Sequence, residues 1–132
     1  MSNIAPTALP APIPQPGTAM TKDLLATHLA TSPHQGTGRG EALDLLALII
    51  SLNADELDTT AKSIHRGVEV ARTRLDTLAA GGALSPVHDE PVMTKTGAGL
   101  DLLNVIAQTQ TRHLCQLVHT YRQLNTATRD SN

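Results

Sequence analysis

Aromatic residues are almost missing from this chain of 132 residues: Tyr121 stands alone, with no Phe and no Trp. Small-molecule pockets and interface hot spots usually lean on aromatic side chains, and single-stranded nucleic acid is gripped by stacking on them. Their scarcity argues against a small-molecule substrate, a cofactor or an RNA-binding role. Cysteine is equally scarce. Cys115 is single, which excludes an internal disulfide. No run of 18 apolar residues exists, so no spanning helix is expected. The leader MSNIAPTALPAP has neither a basic n-region nor a long apolar h-region, unlike a general secretory signal. Charge is low too, at 17% of residues, with a net charge of −2. Such a chain lacks the strong positive field of a phosphate-binding protein, and a nucleic-acid partner is not expected.

Apolar residues are abundant, at 40% of the chain, so a folded core is expected, within one domain for this length. The mix of Ala, Leu and Thr, with seven Arg to three Lys, has the look of a bacterial protein from a GC-rich genome. The expected location is the cytoplasm.

Five of the eight prolines, Pro6, Pro10, Pro12, Pro14 and Pro16, fall in residues 1–17. Alternating proline forbids a helix and favours extended chain, so 1–17 reads as a disordered leader and 18–132 as a single helical domain. A docking peptide or non-cleaved export signal is the functional alternative for the leader. Residues 19–31 read as a short amphipathic helix with Met20, Leu24, Leu25 and Leu29 on one face and Thr18 or Thr21 as cap. Ser32-Pro33 ends it, and the glycines of SPHQGTGRG predict a loop.

The strongest pattern follows. Every seventh residue from Leu43 is apolar: Leu43, Ile50, Leu57, Ile64, Ala71 and Leu78. So are the interleaved Ala47, Ala54, Ala61, Val68 and Leu75. This unbroken a/d pattern predicts one long helix over 41–80 with an interaction seam. Asn53-Ala54-Asp55-Glu56 also resembles a helix start, and a break near Asn53 is the alternative. Gly81-Gly82 predicts the stop, and 81–97 a connecting loop. The last helix is expected over 98–128, with Leu100, Leu103, Ala107, Gln110, Leu114, Leu117, Tyr121, Leu124 and Thr128 along its seam.

The decapeptide GEALDLLALI at 40–49 recurs as GAGLDLLNVI at 97–106, with six of ten positions shared. Both copies place a seam leucine, Leu43 or Leu100, and an aspartate, Asp44 or Asp101, in an expected first helical turn, where a carboxylate complements the helix dipole. The repeat reads as one way of starting a seam-bearing helix, used twice.

The fold class expected is all-α: a long antiparallel helical hairpin, coiled-coil-like, with one short N-terminal helix. Residues 41–58 hold Glu41, Asp44, Asp55, Glu56 and Asp58 without a base, whereas the C-terminal end holds Arg112, Arg122 and Arg129. With a turn centred near residue 89, position 55 is expected opposite position 122, acid against base. Leu45, Leu46, Leu48, Ile49 and Leu52 flank the first seam, and Leu102, Val105, Ile106 and Val118 flank the last. One hairpin cannot bury both, so a homo-oligomer or a partner helix is expected.

Six histidines, His28, His34, His65, His88, His113 and His119, show no metal-binding spacing. His65 is expected in solvent, and Cys115 as a buried or half-buried small hydrophobe. GTGRG at 36–40 lacks the preceding strand and the Gly-Lys-Ser/Thr ending of a phosphate loop. No catalytic, cofactor or metal residue is expected, and no enzyme. The residues expected to carry function are those of the seam: Leu43, Ile50, Leu57, Ile64, Val68, Leu75, Leu100, Leu103, Leu114, Leu117, Tyr121 and Leu124. The reading is a non-enzymatic protein–protein interaction or self-assembling module. A secreted or injected bacterial protein needing a chaperone is one alternative. A small dimeric DNA-binding regulator, using the face of Lys62, Arg66, Arg72 and Arg74, is the other.

Overall fold

The computed structural model describes residues 12–31, 38–81 and 94–130, and the regular structure within them is all α-helical. Three helices follow in order: α1 at Pro16–Thr31, α2 at Gly38–Ala79 and α3 at Thr94–Asp130. Most of the leader, the segment 32–37 and most of the expected 81–97 loop lie outside the described residues.

Each helix begins earlier than its sequence suggests. Pro16 opens α1 inside the stretch expected to be tail. Proline suits the first helical position, where its missing N–H has no intrahelical partner to lose. Gly38 and Gly40 belong to α2, and Gly97 to α3, although both stretches were expected as loop. Asp44 and Asp101 of the repeated decapeptide are therefore the seventh and eighth residues of their helices, beyond the first turn where a carboxylate would meet the dipole. α2 runs through Asn53 without a break, and the Asn53 amide donates to the Ile49 carbonyl 2.8 Å away, within the helix. At 42 residues it is about 63 Å long. Just beyond its end at Ala79 comes Gly81, which lacks the Cβ that would disfavour its φ of 74°, and whose N–H donates to the Leu78 carbonyl at 3.0 Å.

Threonine is tolerated inside these helices because its hydroxyl bonds backward. Thr59, Thr60, Thr73, Thr109, Thr111 and Thr120 each donate to the carbonyl four residues earlier. Bonded in this way, these hydroxyls do not draw the backbone out of the helix.

α2 and α3 lie side by side in opposite directions. Gly67 faces Leu100, and Gln110 shares a groove with Asp55, Glu56 and Thr59. This register differs by about three turns of helix from the one expected by placing a loop centre at residue 89. Asp55 therefore lies level with Gln110 and its neighbours, not with Arg122. The acid-against-base match between Asp55 and Arg122 is absent. Thr94–Gly97, expected as loop, are helical, so fewer residues join α2 to α3 than expected.

The core is strongly polarised along this pair. Leu43, Ile50, Leu57 and Leu114 are fully buried, with Ala47, Ala54, Val118 and Tyr121 around them. Each large aliphatic side chain contributes about 1.5–3 kcal/mol by leaving water. Val118, expected on a flank, is part of this core. Burial fades toward the far end of α2, where Val68, Leu75 and Leu78 are exposed. α1 explains the polarity: it packs on the N-terminal half of α2 only, with Gly17 against Ala54 and His28 against Asp44.

Candidate functional site

α1 is an unusual helix to find docked in a core. Its buried face is Gly17, Thr21, Leu24 and His28, so it offers one large apolar residue and three others that are small or polar. Met20 and Leu25 are half-buried against the core, and Leu29, expected on the buried face, is 77% exposed. Hydrophobic burial alone holds such a helix weakly, and three specific contacts make up the attachment.

The first is at its N-terminus. The Asp58 carboxylate, projecting from α2, accepts from Gly17 N–H at 2.7 Å and from Thr18 N–H at 3.2 Å. Thr18 Oγ donates to the same carboxylate at 2.6 Å. The unpaired amides that open every helix are here capped across the interface by a negative charge, which also suits the helix dipole. Thr18 and Thr21, expected as caps, do other work. Thr21 lies within the helix and donates to the Gly17 carbonyl at 2.8 Å.

The second is a backbone crossing. A Cβ built on Gly17 would stand 2.1 Å from the Ala54 carbonyl oxygen. Only glycine fits where the two helices touch.

The third joins all three helices. His28 Nε2 lies 2.8 Å from Asp44 Oδ1, and His28 Nδ1 lies 2.5 Å from the Tyr121 hydroxyl. A carboxylate can only accept, so Nε2 carries a proton. In the tautomer with its proton on Nε2, Nδ1 accepts from the Tyr121 O–H. The two rings meet edge to face, with centroids 5.5 Å apart. His28 and Tyr121 are buried, and Asp44 is half exposed at the rim. Both ring nitrogens are engaged by protein groups, so the array works as a clamp between α1, α2 and α3.

The other sequence-predicted residues divide into three groups. Leu43, Ile50, Leu57, Leu114 and Tyr121 are buried inside this one chain. Ile64, Leu100, Leu103, Leu117 and Leu124 are half-buried along the α2–α3 seam. Val68 and Leu75 lie on the surface, at 39% and 49% exposure. The seam is therefore mainly the chain's own core. Cys115, expected to be buried or half-buried, is exposed and shares a shallow groove with Met20, Val118, His119 and Arg122. His65 is half-buried. Among the described residues no three His, Cys, Asp or Glu side chains gather as metal ligands do. No described helix is long and apolar enough to cross a membrane.

What remains outward is apolar. Leu45, Leu48 and Leu52 project from α2, and Leu102, Val105 and Ile106 from α3. Beside them runs a groove between α2 and α3, away from α1, lined by Leu52, Asp55, Glu56, Thr59, Thr60 and Gln110. Gln110 Oε1 is buried there with no hydrogen-bond partner among the described residues.

The chain matches no family model, no curated protein and no solved structure. Its function has to be argued from these surfaces.

Gly17, His28, Asp44 and Asp58 were missed from sequence. Tyr121 was placed on the seam for its apolar ring, and its hydroxyl went unused. The available signal was weak: a single aromatic at a seam position, and a histidine four residues after Leu24 on the same helical face.

Proposed function

We propose that this protein is a non-enzymatic, self-associating interaction module built on a coiled-coil-like helical hairpin. One observation carries the reading. α1 fills one side of the α2–α3 pair, and the outward positions Leu45, Leu48 and Leu52 stay more than half exposed. Isolated surface leucines are ordinary, but a stripe at spacings of three and four on one helix is the pattern of a partner-facing surface. Leu102, Val105 and Ile106 expose a second apolar stripe, on α3. Covering either stripe with a second copy gives a four-helix core, the economical way to bury two long helices whose flanks are apolar.

The test is native mass by light scattering on a sizing column, over a wide range of concentrations and with a reductant present. A dimer or tetramer that dissociates on dilution supports the reading. A monodisperse monomer at every concentration removes it.

A further inference from the structure

The groove between α2 and α3 carries more information than its apolar rim. Along the outer face of α2 the residues at alternating spacings of four and three are Leu52, Glu56, Thr59, Ser63, Arg66 and Val70. All six are exposed or half-buried. Read from either end, the order is apolar, charged, small hydroxyl, small hydroxyl, charged, apolar, with the two charges opposite in sign. The stripe is complementary to itself when reversed, with its centre at position 61. Glu56 and Arg66 are ten residues apart, about 15 Å along the helix, too far to pair within one chain.

We infer that α2 of one copy lies antiparallel to α2 of a second copy across a two-fold axis near residue 61. This rests on the self-association proposed above and adds its surface and direction. An isologous contact requires that residue i meet j and j meet i. Here Leu52 meets Val70, Glu56 meets Arg66 and Thr59 meets Ser63, each twice. The hydroxyl residues at the centre are small enough for the helices to approach closely.

Two further observations fit a second copy as the occupant. The groove that receives Arg66 is lined by the carboxylates of Asp55 and Glu56, so it favours a cation. It also holds Gln110 Oε1, a buried acceptor without a partner among the described residues. A guanidinium offers five donors in a fixed fork and can serve the carboxylate and the amide oxygen together. The charge asymmetry along α2 has the same sense. Residues 41–58 carry Glu41, Asp44, Asp55, Glu56 and Asp58 without a base, whereas Lys62, Arg66, Arg72 and Arg74 follow against Glu69 and Asp76. A parallel pairing would set acid on acid.

The test is a charge swap on the full chain, read by sedimentation equilibrium, with helicity checked by circular dichroism. Glu56→Arg alone and Arg66→Glu alone should each weaken the dimer about tenfold or more, because two attractive pairs become repulsive. The double variant should return to within about threefold of the parent, the coupling expected of residues in contact. Mixing the two single variants should give a heterodimer, since each then supplies what the other lacks. A dimer indifferent to both single changes, or a double variant no better than either, overturns this geometry while leaving self-association in place. A parent chain monomeric at every concentration overturns both. A monomer that binds a short basic helical peptide in the groove, and loses it on Glu56→Arg, assigns the groove to a different partner.

Discussion

Gly17 and Ala54 meet backbone to backbone, so closely that a single methyl group on Gly17 would overlap the Ala54 carbonyl. The contact sets how near α1 can come to α2, and with it whether Asp58 reaches the first amides of α1 and His28 reaches Asp44. A helix that buries little oil is held by geometry.

Gly17→Ala should therefore cost more than a surface change. The helices must part, as in an overpacked core, at about 1–3 kcal/mol. Thermal melting followed by circular dichroism reads this directly. A variant that melts with the parent would mean that α1 is not seated as described.

Asp58→Ala removes the cap that α2 supplies to α1. A lost N-cap costs about 0.5–2 kcal/mol. Amide hydrogen exchange should localise the effect to the first turn of α1, at Gly17 and Thr18, with α3 unmoved. Equal loss of protection across all three helices would contradict this assignment.

Tyr121→Phe removes the hydroxyl that meets His28 Nδ1 inside the core. The expected cost is about 1–3 kcal/mol. His28→Leu should also destabilise, because it strips the clamp from both neighbours. The double variant should be less harmful than the sum of the two, since it removes both ends of one buried polar contact. Strict additivity in denaturant melts would show that the two groups do not interact.

Core and surface leucines should respond differently to one change. Leu57→Asp places a charge in the fully buried centre and should unfold the chain. Leu52→Asp, on a residue 55% exposed, should leave the melt nearly unchanged and weaken self-association. Melting temperature and native mass, measured on the same samples, separate the two. Loss of assembly without loss of fold in the Leu57 variant would return that residue to an intermolecular seam.

The long helices were legible in the sequence because their cause is local and repeated. From Leu43 onward an apolar residue falls every three or four positions, and the period alone specifies a helix and its buried stripe. Helix ends were less legible. Gly38 and Gly97 have low intrinsic helix preference that neighbouring turns outweigh, and Pro16, among the prolines of the leader, is the one that suits a first helical position. The register of α2 on α3 was missed for the same reason, since it depends on where the connecting turn begins.

The clamp itself could not be read. Nothing in a one-dimensional pattern says that His28, Asp44 and Tyr121 belong together, because they lie on three helices and their union depends on the rotation and depth of each. The sequence determined by itself an all-helical chain, an aliphatic seam and a surplus of apolar surface. Only the tertiary structure decided which part of that surplus α1 covers. The covering helix is chosen by a glycine small enough to touch, a carboxylate placed to cap and a histidine with two partners. Those are properties of distance, and they exist only once the helices are packed.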